Sequence, residues 1–129
     1  MGGHLLDRQA VLAANTAFYQ AHEEGDAITM QSLWLHDDER VVCTHPGWPT
    51  LRGWPAVWAS WHQLLMLSNR PQFIITSEQV DIGDSLAWVS CDENLLGPGD
   101  GATVAAINIF VRHDGAWRLV AHHGSPVSV

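Results

Sequence analysis

The chain has 129 residues, of which 47% are hydrophobic and 16% are charged, and its formal net charge at pH 7 is −8. This length and composition predict one globular domain over residues 1–129 with a sizeable buried core. The negative charge excludes the basic surface that nucleic acid requires, and the absence of lysine excludes Schiff-base chemistry and pyridoxal phosphate. Since no apolar run has the length of a membrane span and no secretory signal is visible, we expect a cytoplasmic protein in which Cys43 and Cys91 are free thiols.

The first half of the chain predicts three helices and one strand. Apolar residues recur at helical spacing over residues 5–22. The members of this stripe are Leu6, Ala10, Ala13, Ala17 and Ala21, widened by Val11, Ala14 and Phe18. Asp26 can cap a second helix that reaches about residue 35, residues 39–44 form a strand, and residues 45–49 form a turn. A third helix follows Gly53, because Pro55 suits its first turn, and it continues to about residue 67.

The second half of the chain predicts four strands. Past Pro71 the apolar pattern changes to that of a sheet, with strands at residues 73–80, 86–95, 103–112 and 117–123. Turn residues separate them at 81–84, 97–101 and 113–115. Helices followed by an antiparallel meander indicate the α+β class.

Three segments carry a family resemblance. Residues 41–47, VVCTHPG, look like the strand that enters the pocket in SnoaL-like proteins. Residues 51–61 contain LRG followed by VWASW, which is similar to the pattern G-x-x-A/P-V/I-x-x-x-W of the helix in that family. Residues 115–125, GAWRLVAHHGS, resemble its closing strand, G-x-W-R-hydrophobic-x-x-x-H-x-S. In this order the segments resemble the nuclear transport factor 2-like superfamily, in particular its SnoaL-like, ketosteroid isomerase-like domains.

The resemblance implies a fold and an assembly. Three N-terminal helices would pack on a strongly curved antiparallel sheet, and the sheet would form a cone with a cavity at one end. Members of this superfamily pair through the outer faces of their long strands, so the resemblance also implies a homodimer. It does not fix an activity, because the superfamily includes isomerases, cyclases, dehydratases, hydrolases and non-catalytic domains.

Two histidines are candidate catalytic residues. Side chains alternate between the two faces of a strand, so His123 shares a face with Trp117 and Leu119, which we assign to the cavity, and His122 points outward. A structural role for His123, bonded to backbone near the end of the strand, is equally open. His45 ends the first predicted strand at the mouth of the cone, where its near-neutral pKa suits a general base; it can also simply bond a turn carbonyl.

The remaining candidates are a carboxyl, a phenol and an amide. Asp92 shares a face with Trp88, and that face is directed either to the cavity or to water. Steroid isomerases of the family place acidic groups inside an apolar cone, and the resemblance implies Asp92 and Asn108 for comparable positions. Tyr19 lies on the first helix, where those isomerases carry a phenolic donor, although packing is the simpler interpretation.

The predicted site therefore has three catalytic residues, His45, Asp92 and His123. Its predicted substrate contacts are Tyr19, Trp48, Trp54, Trp58, Trp88 and Asn108. We predict no cofactor and no metal, while convergence of His45, His62 and His123 on a metal ion is left open. The first functional hypothesis is a cofactor-independent lyase, isomerase, cyclase or hydrolase acting on a small apolar molecule. The second is a non-catalytic ligand-binding or dimerising scaffold module. An open cavity of about 300 Å³ or more with at least two polar groups would support the enzyme or the ligand-binding module, whereas a cavity plugged by tryptophan would favour the scaffold.

Overall fold

The computed structural model describes residues 2–97 and 101–128. Its elements are α1 (Gly2–Glu24), α2 (Ala27–Leu33), β1 (Val42–Thr44), β2 (Leu51–Arg52), α3 (Trp54–Leu65), β3 (Gln72–Ile82), β4 (Leu86–Leu96), β5 (Thr103–His113) and β6 (Ala116–Pro126). The strands form one six-stranded sheet in the order β2-β1-β6-β5-β4-β3. This confirms the predicted fold, three helices packed on a curved sheet that is not closed. The predicted turn at 97–101 lies largely outside the described residues.

The sheet differs from the prediction in one pairing. The four long strands pair antiparallel, and so do β1 and β2, but β1 runs parallel to β6 with Cys43 opposite His122. This parallel pair places the end of β1 beside the middle of β6. As a result, His45 at the end of β1 lies close to the interior side chains of β6.

Helix α1 buries only part of the predicted stripe: Val11, Phe18 and Ala21 are buried as predicted. Its buried side chains include Val11, Phe18 and Tyr19, while Leu6 is 66% exposed. The buried aromatic rings remove the most apolar area from water, which is why Phe18 and Tyr19 dominate this face of the helix. One polar residue, Asn15, lies within this stripe and is fully buried.

The corner between α1 and α2 is built from a glycine and an aspartate. Gly25 has a φ of +69°, and Asp26 donates its backbone N–H to Ala21 O at 2.9 Å, which is a Schellman ending. Asp26 then caps α2 by accepting from Thr29 N at 3.0 Å. Beyond this corner Arg70 donates to Glu23 O at 3.1 Å, so the last turn of α1 is tied to the segment that enters β3.

Two bulges interrupt the long strands. In β6, Ile109 faces Ala121 and Phe110 faces Leu119, which leaves Val120 as an extra residue. In β3 the register shifts between Thr76 and Gln79, and the bulged Ser77 has a φ of +57°. Because a bulge adds one residue to a strand with a two-residue period, it reverses which face the following side chains occupy.

None of the helices in the described residues is long and apolar enough to cross a membrane. Within the same residues both cysteines are buried and free.

Candidate functional site

The bulge at Val120 overturns the predicted orientation of the two histidines of β6. Leu119 is buried as expected, but the extra residue moves His122 to the inner face, where it is 4% exposed, and leaves His123 exposed on the outer face. The assignment of His123 to the cavity and of His122 to the outer face was therefore wrong. The alternation rule holds on each side of the bulge but not across it.

Two other predicted residues also lie outside the cone. On β4 the inner face carries Val89, Cys91 and Glu93, so Asp92 points to the outer face of the sheet. Trp88 is on that outer face too and is 41% exposed. The orientation toward water, one of the two left open for this face, is the one observed.

Trp54 and Trp58 lie on α3 and form a stack rather than part of the cavity wall. The Trp54 ring lies between His36, at 4.2 Å, and Trp58, at 5.5 Å. His62 is exposed, and its ring lies tilted against Trp58 with the centroids 6.0 Å apart. His45, His62 and His123 do not come together, and no group of three or more His, Cys, Asp or Glu side chains among the described residues is placed to hold a metal ion.

The interior of the cone contains a hydrogen-bonded acid and phenol. Tyr19 Oη donates to Glu93 Oε2 at 2.6 Å, and both side chains are buried. The same phenol lies 3.4 Å from the sulfur of Cys91. Asn108 Nδ2 donates to Tyr19 Oη at 3.1 Å, so the phenol accepts one hydrogen bond from Asn108 and donates one to Glu93. The arrangement orients the phenolic O–H toward the carboxyl group.

A chain of amides extends from this pair to both sides. Asn108 Nδ2 also donates to Asn15 Oδ1 at 2.8 Å, and Asn15 Nδ2 donates to Glu78 Oε2 at 3.0 Å. On the other side His122 Nδ1 lies 2.5 Å from Asn108 Oδ1. Since the amide oxygen can only accept, this contact assigns the proton of His122 to Nδ1. Every donor in the chain has an acceptor, which is the condition for burying so many polar groups.

A cavity of about 250 Å³ opens at the mouth of the cone. Most of its wall is apolar, and three ionisable groups face it: His22, His45 and Glu93. The apolar lining residues are Pro46, Trp48, Leu64, Pro71, Phe73, Leu95 and Val104. Below this mouth cavity the cone is filled by Phe18 and Trp61, whose ring centroids are 5.3 Å apart in an edge-on contact.

His45 is held in place by α3. Its Nε2 lies 2.8 Å from Ser60 Oγ, which in turn donates to Val57 O at 2.7 Å. Because the hydroxyl proton of Ser60 goes to Val57 O, the serine oxygen accepts from His45 Nε2. The Trp48 ring stands edge-on to His45 at 4.9 Å. His45 is thus an oriented residue at the mouth cavity, beside the predicted contact Trp48.

The electrostatics of the site follow from burial. Burial raises the pKa of Glu93 above its ordinary value, against the opposing effect of the hydrogen bond from Tyr19. Burial, with Glu93 beside it, raises the pKa of Tyr19 far above its ordinary value, so the phenol stays protonated. Burial lowers the pKa of His22 and of His45 to about 4, and that of His122 to about 3. At neutral pH the three imidazoles are uncharged.

Sequence reasoning missed Glu93, His122 and Asn15. The sequence does indicate Glu93 and Asn15, because each is a polar residue at a position where the spacing predicts an apolar one. Glu93 follows Val89 and Cys91 at the two-residue spacing of a strand, and Asn15 follows Val11 by one helical turn. Of the predicted contacts, Tyr19, Trp48 and Asn108 are placed at or beside the interior site.

The fold and this interior site define a class: an α+β cone of the nuclear transport factor 2-like type with an ionisable, hydrogen-bonded group inside it. A sequence profile of the SnoaL-like domain matches residues 11–128. The chain belongs to the SnoaL-like domain family.

Individual relatives are similar to this chain over most of its length. A solved structure from Streptomyces avermitilis, provisionally assigned as a dehydratase of the NTF2-like family, is 39% identical with a TM-score of 0.88, covering 96% of this chain and 98% of that one. One from Thiobacillus denitrificans, provisionally assigned as a calcium/calmodulin-dependent protein kinase type II association domain, is 29% identical with a TM-score of 0.80, covering 90% and 94%. The F-box protein SKIP8 of Arabidopsis thaliana is 28% identical over 117 residues. That match covers 91% of this chain but 49% of SKIP8, so the chain spans about half the length of this curated relative.

Proposed function

We propose that the protein is a cofactor-independent acid–base enzyme that acts on a small, largely apolar molecule in the mouth cavity. The observation that carries the proposal is the Tyr19–Glu93 hydrogen bond of 2.6 Å at the wall of that cavity. A carboxyl group in apolar surroundings has a raised pKa, so its carboxylate is a stronger base than an exposed one and can accept and return a proton. A water-poor site also strengthens every hydrogen bond made to the substrate.

Glu93 is the proposed proton-transfer residue, and Tyr19 is the residue that positions it. Tyr19 occupies Oε2, which leaves the other carboxyl oxygen for the substrate. His45 is proposed to orient the substrate as a neutral imidazole, since burial lowers its pKa to about 4. A general-base role for His45 is therefore secondary to that of Glu93. Asp92 and His123 take no part, because they point away from the cavity.

The reaction type that the Streptomyces avermitilis relative favours is dehydration. In a β-hydroxy carbonyl compound, the Glu93 carboxylate would take the proton next to the carbonyl, and the resulting carboxylic acid would return it to the departing hydroxyl. The carbon–oxygen bond breaks, a carbon–carbon double bond forms, and one water leaves with Glu93 restored. The cavity volume of about 250 Å³ lies just below the usual range of ligand sites and limits the substrate to a few-carbon or single-ring compound.

The neighbouring acidic residues Glu93 and Asp92, which lie on opposite faces of β4, allow the proposed role of Glu93 to be tested. Small β-hydroxy carbonyl compounds would be screened with the purified protein, and formation of the conjugated product would be followed by absorbance. We expect Glu93→Gln to lower kcat by about 10²-fold or more, the range of general acid–base catalysis. The neighbouring Asp92→Asn, on the outer face, is the matched control and should leave kcat unchanged. Equal loss in both variants, or turnover that survives Glu93→Gln, would contradict the assignment.

A dimerising scaffold is the second candidate, and two observations favour it. The mouth cavity, at about 250 Å³, is smaller than the ~300 Å³ expected of a ligand site. The outer face of the sheet exposes Trp88, Ile107 and Ile74, whose side chains are 41–52% exposed. A face of this kind is the usual mark of a protein interface, and the Thiobacillus denitrificans relative is assigned as an association domain. We propose a homodimer through this face, and a cytoplasmic location in keeping with the free cysteines. Sedimentation of the wild type and of Trp88→Glu tests the dimer; a wild type that is monomeric at micromolar concentration refutes it.

A further inference from the structure

A second cavity adjoins the site. Its volume is about 170 Å³, and Phe73 lies in its wall as well as in that of the mouth cavity. The other residues that line this second cavity are Thr16, Tyr19, Gln20, Glu23, Ile75 and Glu78. Phe73 is the residue that the two linings have in common.

Phe73 is held firmly in this position. Its backbone N–H donates to Glu23 Oε2 at 2.8 Å, which ties the start of β3 to the end of α1. Its ring packs against the Tyr19 ring at 5.5 Å and the His22 ring at 5.2 Å. The Tyr19–Glu93 bond crosses the same wall, since Tyr19 lines the second cavity and Glu93 lines the mouth cavity.

The two cavities differ in chemistry. The mouth cavity is mostly apolar, whereas the second contains two acidic side chains, Glu23 and Glu78, with a threonine and a glutamine. A molecule that occupied both would need an apolar body in the mouth cavity and a hydrogen-bond-donating, positively charged end in the second. Such an end would lie close to the Tyr19–Glu93 pair.

We propose that Phe73 is a specificity-determining residue: its ring is the partition between the two cavities, so that a ligand in the mouth cavity does not extend into the acidic second cavity. The proposal rests on the proposed function, in that the mouth cavity is taken as the ligand site. Shortening residue 73 joins the two cavities and admits amines whose apolar part binds in the mouth.

Two probes of nearly equal shape test this, 4-ethylphenol and tyramine, which differ by the terminal amine. Each is titrated at physiological salt into the wild type, Phe73→Ala and the better-packed Phe73→Leu, with the indole N–H signal of Trp48 followed by NMR. Leu64→Ala is the matched control, because Leu64 lines the mouth cavity but not the second one. Thermal unfolding of each variant establishes that it is folded.

We expect Phe73→Ala to bind tyramine about tenfold more tightly than the wild type does, with a smaller gain in Phe73→Leu. Affinity for 4-ethylphenol should change by less than about threefold, Leu64→Ala should show no selective gain, and adding Glu78→Gln to Phe73→Ala should remove the gain. If 4-ethylphenol binds the wild type but the Phe73 variants gain nothing for tyramine, or Leu64→Ala gains as much, the partition is refuted and the ligand site stands. If 4-ethylphenol binds no variant and not the wild type, the ligand site and the partition are both refuted.

Discussion

The buried imidazoles make the stability of the fold depend on pH in a calculable way. His45 and His122 are 3% and 4% exposed, and burial lowers their pKa values to about 4 and about 3. In the unfolded chain both would titrate near pH ~6.5. Between these values the unfolded state binds more protons than the folded state, so stability is complete above the unfolded pKa and is lost as the pH falls.

The magnitude follows from the same values. Going from pH 7 to pH 5, each of the two histidines removes about 2 kcal/mol of unfolding free energy, and the pair removes about 4 kcal/mol. His22, whose pKa burial also lowers to about 4, acts in the same direction. Glu93 acts in the opposite direction, because its raised pKa means that the folded state takes up a proton before the unfolded state does.

Urea unfolding followed by tryptophan fluorescence at pH 7 and pH 5 measures this dependence. For the wild type we expect a loss of about 4 kcal/mol from His45 and His122, to which His22 adds and from which Glu93 subtracts, and for His122→Gln a loss smaller by about 2 kcal/mol. His113→Gln is the control, since the His113 side chain is 57% exposed, and its loss should equal that of the wild type. A wild-type loss below about 1 kcal/mol, or the same loss in His122→Gln, would refute the view that these imidazoles are buried and uncharged.

Three further predictions concern stability at neutral pH, each measured by urea unfolding. Tyr19→Phe leaves Glu93 without its 2.6 Å donor and should cost about 1–3 kcal/mol, whereas removal of the exposed Ser32 hydroxyl by Ser32→Ala should cost little. Gly124→Ala places a Cβ 3.1 Å from both Pro46 Cγ and Val104 Cγ1 and should cost about 1–3 kcal/mol, while Gly97→Ala, whose Cβ would meet none of the described residues within 4 Å, should be nearly neutral. Gly25→Ala forces a side chain onto a φ of +69° and to within 2.8 Å of Arg70 Cζ, so a loss of at least about 1 kcal/mol is expected; an unchanged midpoint would mean that the corner relaxes freely.

The fold could be predicted from sequence because its signals are local. Turn residues and the change from helical to strand spacing located the three helices and four long strands to within a few residues. Strand β2 could not be predicted, because two residues are too few to show an alternating pattern. The parallel pairing of β1 with β6 could not be predicted either, because strand pairing joins residues that are distant in the sequence.

The site was less predictable than the fold, because the face of the sheet that a side chain occupies depends on the exact number of residues before it in the strand. On β4 the sequence alone separates the two acids: Glu93 lies at the alternating positions that are otherwise apolar, and Asp92 lies at those that carry polar residues. On β6 the sequence does not separate the two histidines, because nothing in the letters marks Val120 as a bulge. Tyr19 and Asn108 were found through the resemblance, and their shared bond could not be read from either element separately.

The bulge at Val120 has a consequence for reading related sequences. Of the two consecutive histidines only one can face the interior, and because Val120 is an extra residue in the strand, that histidine is His122. In a homologue whose closing strand is one residue shorter at this point, a column-by-column alignment would still match the histidines while their side chains faced opposite sides of the sheet. Identity at this position is therefore informative about the interior only when the length of the strand is conserved with it.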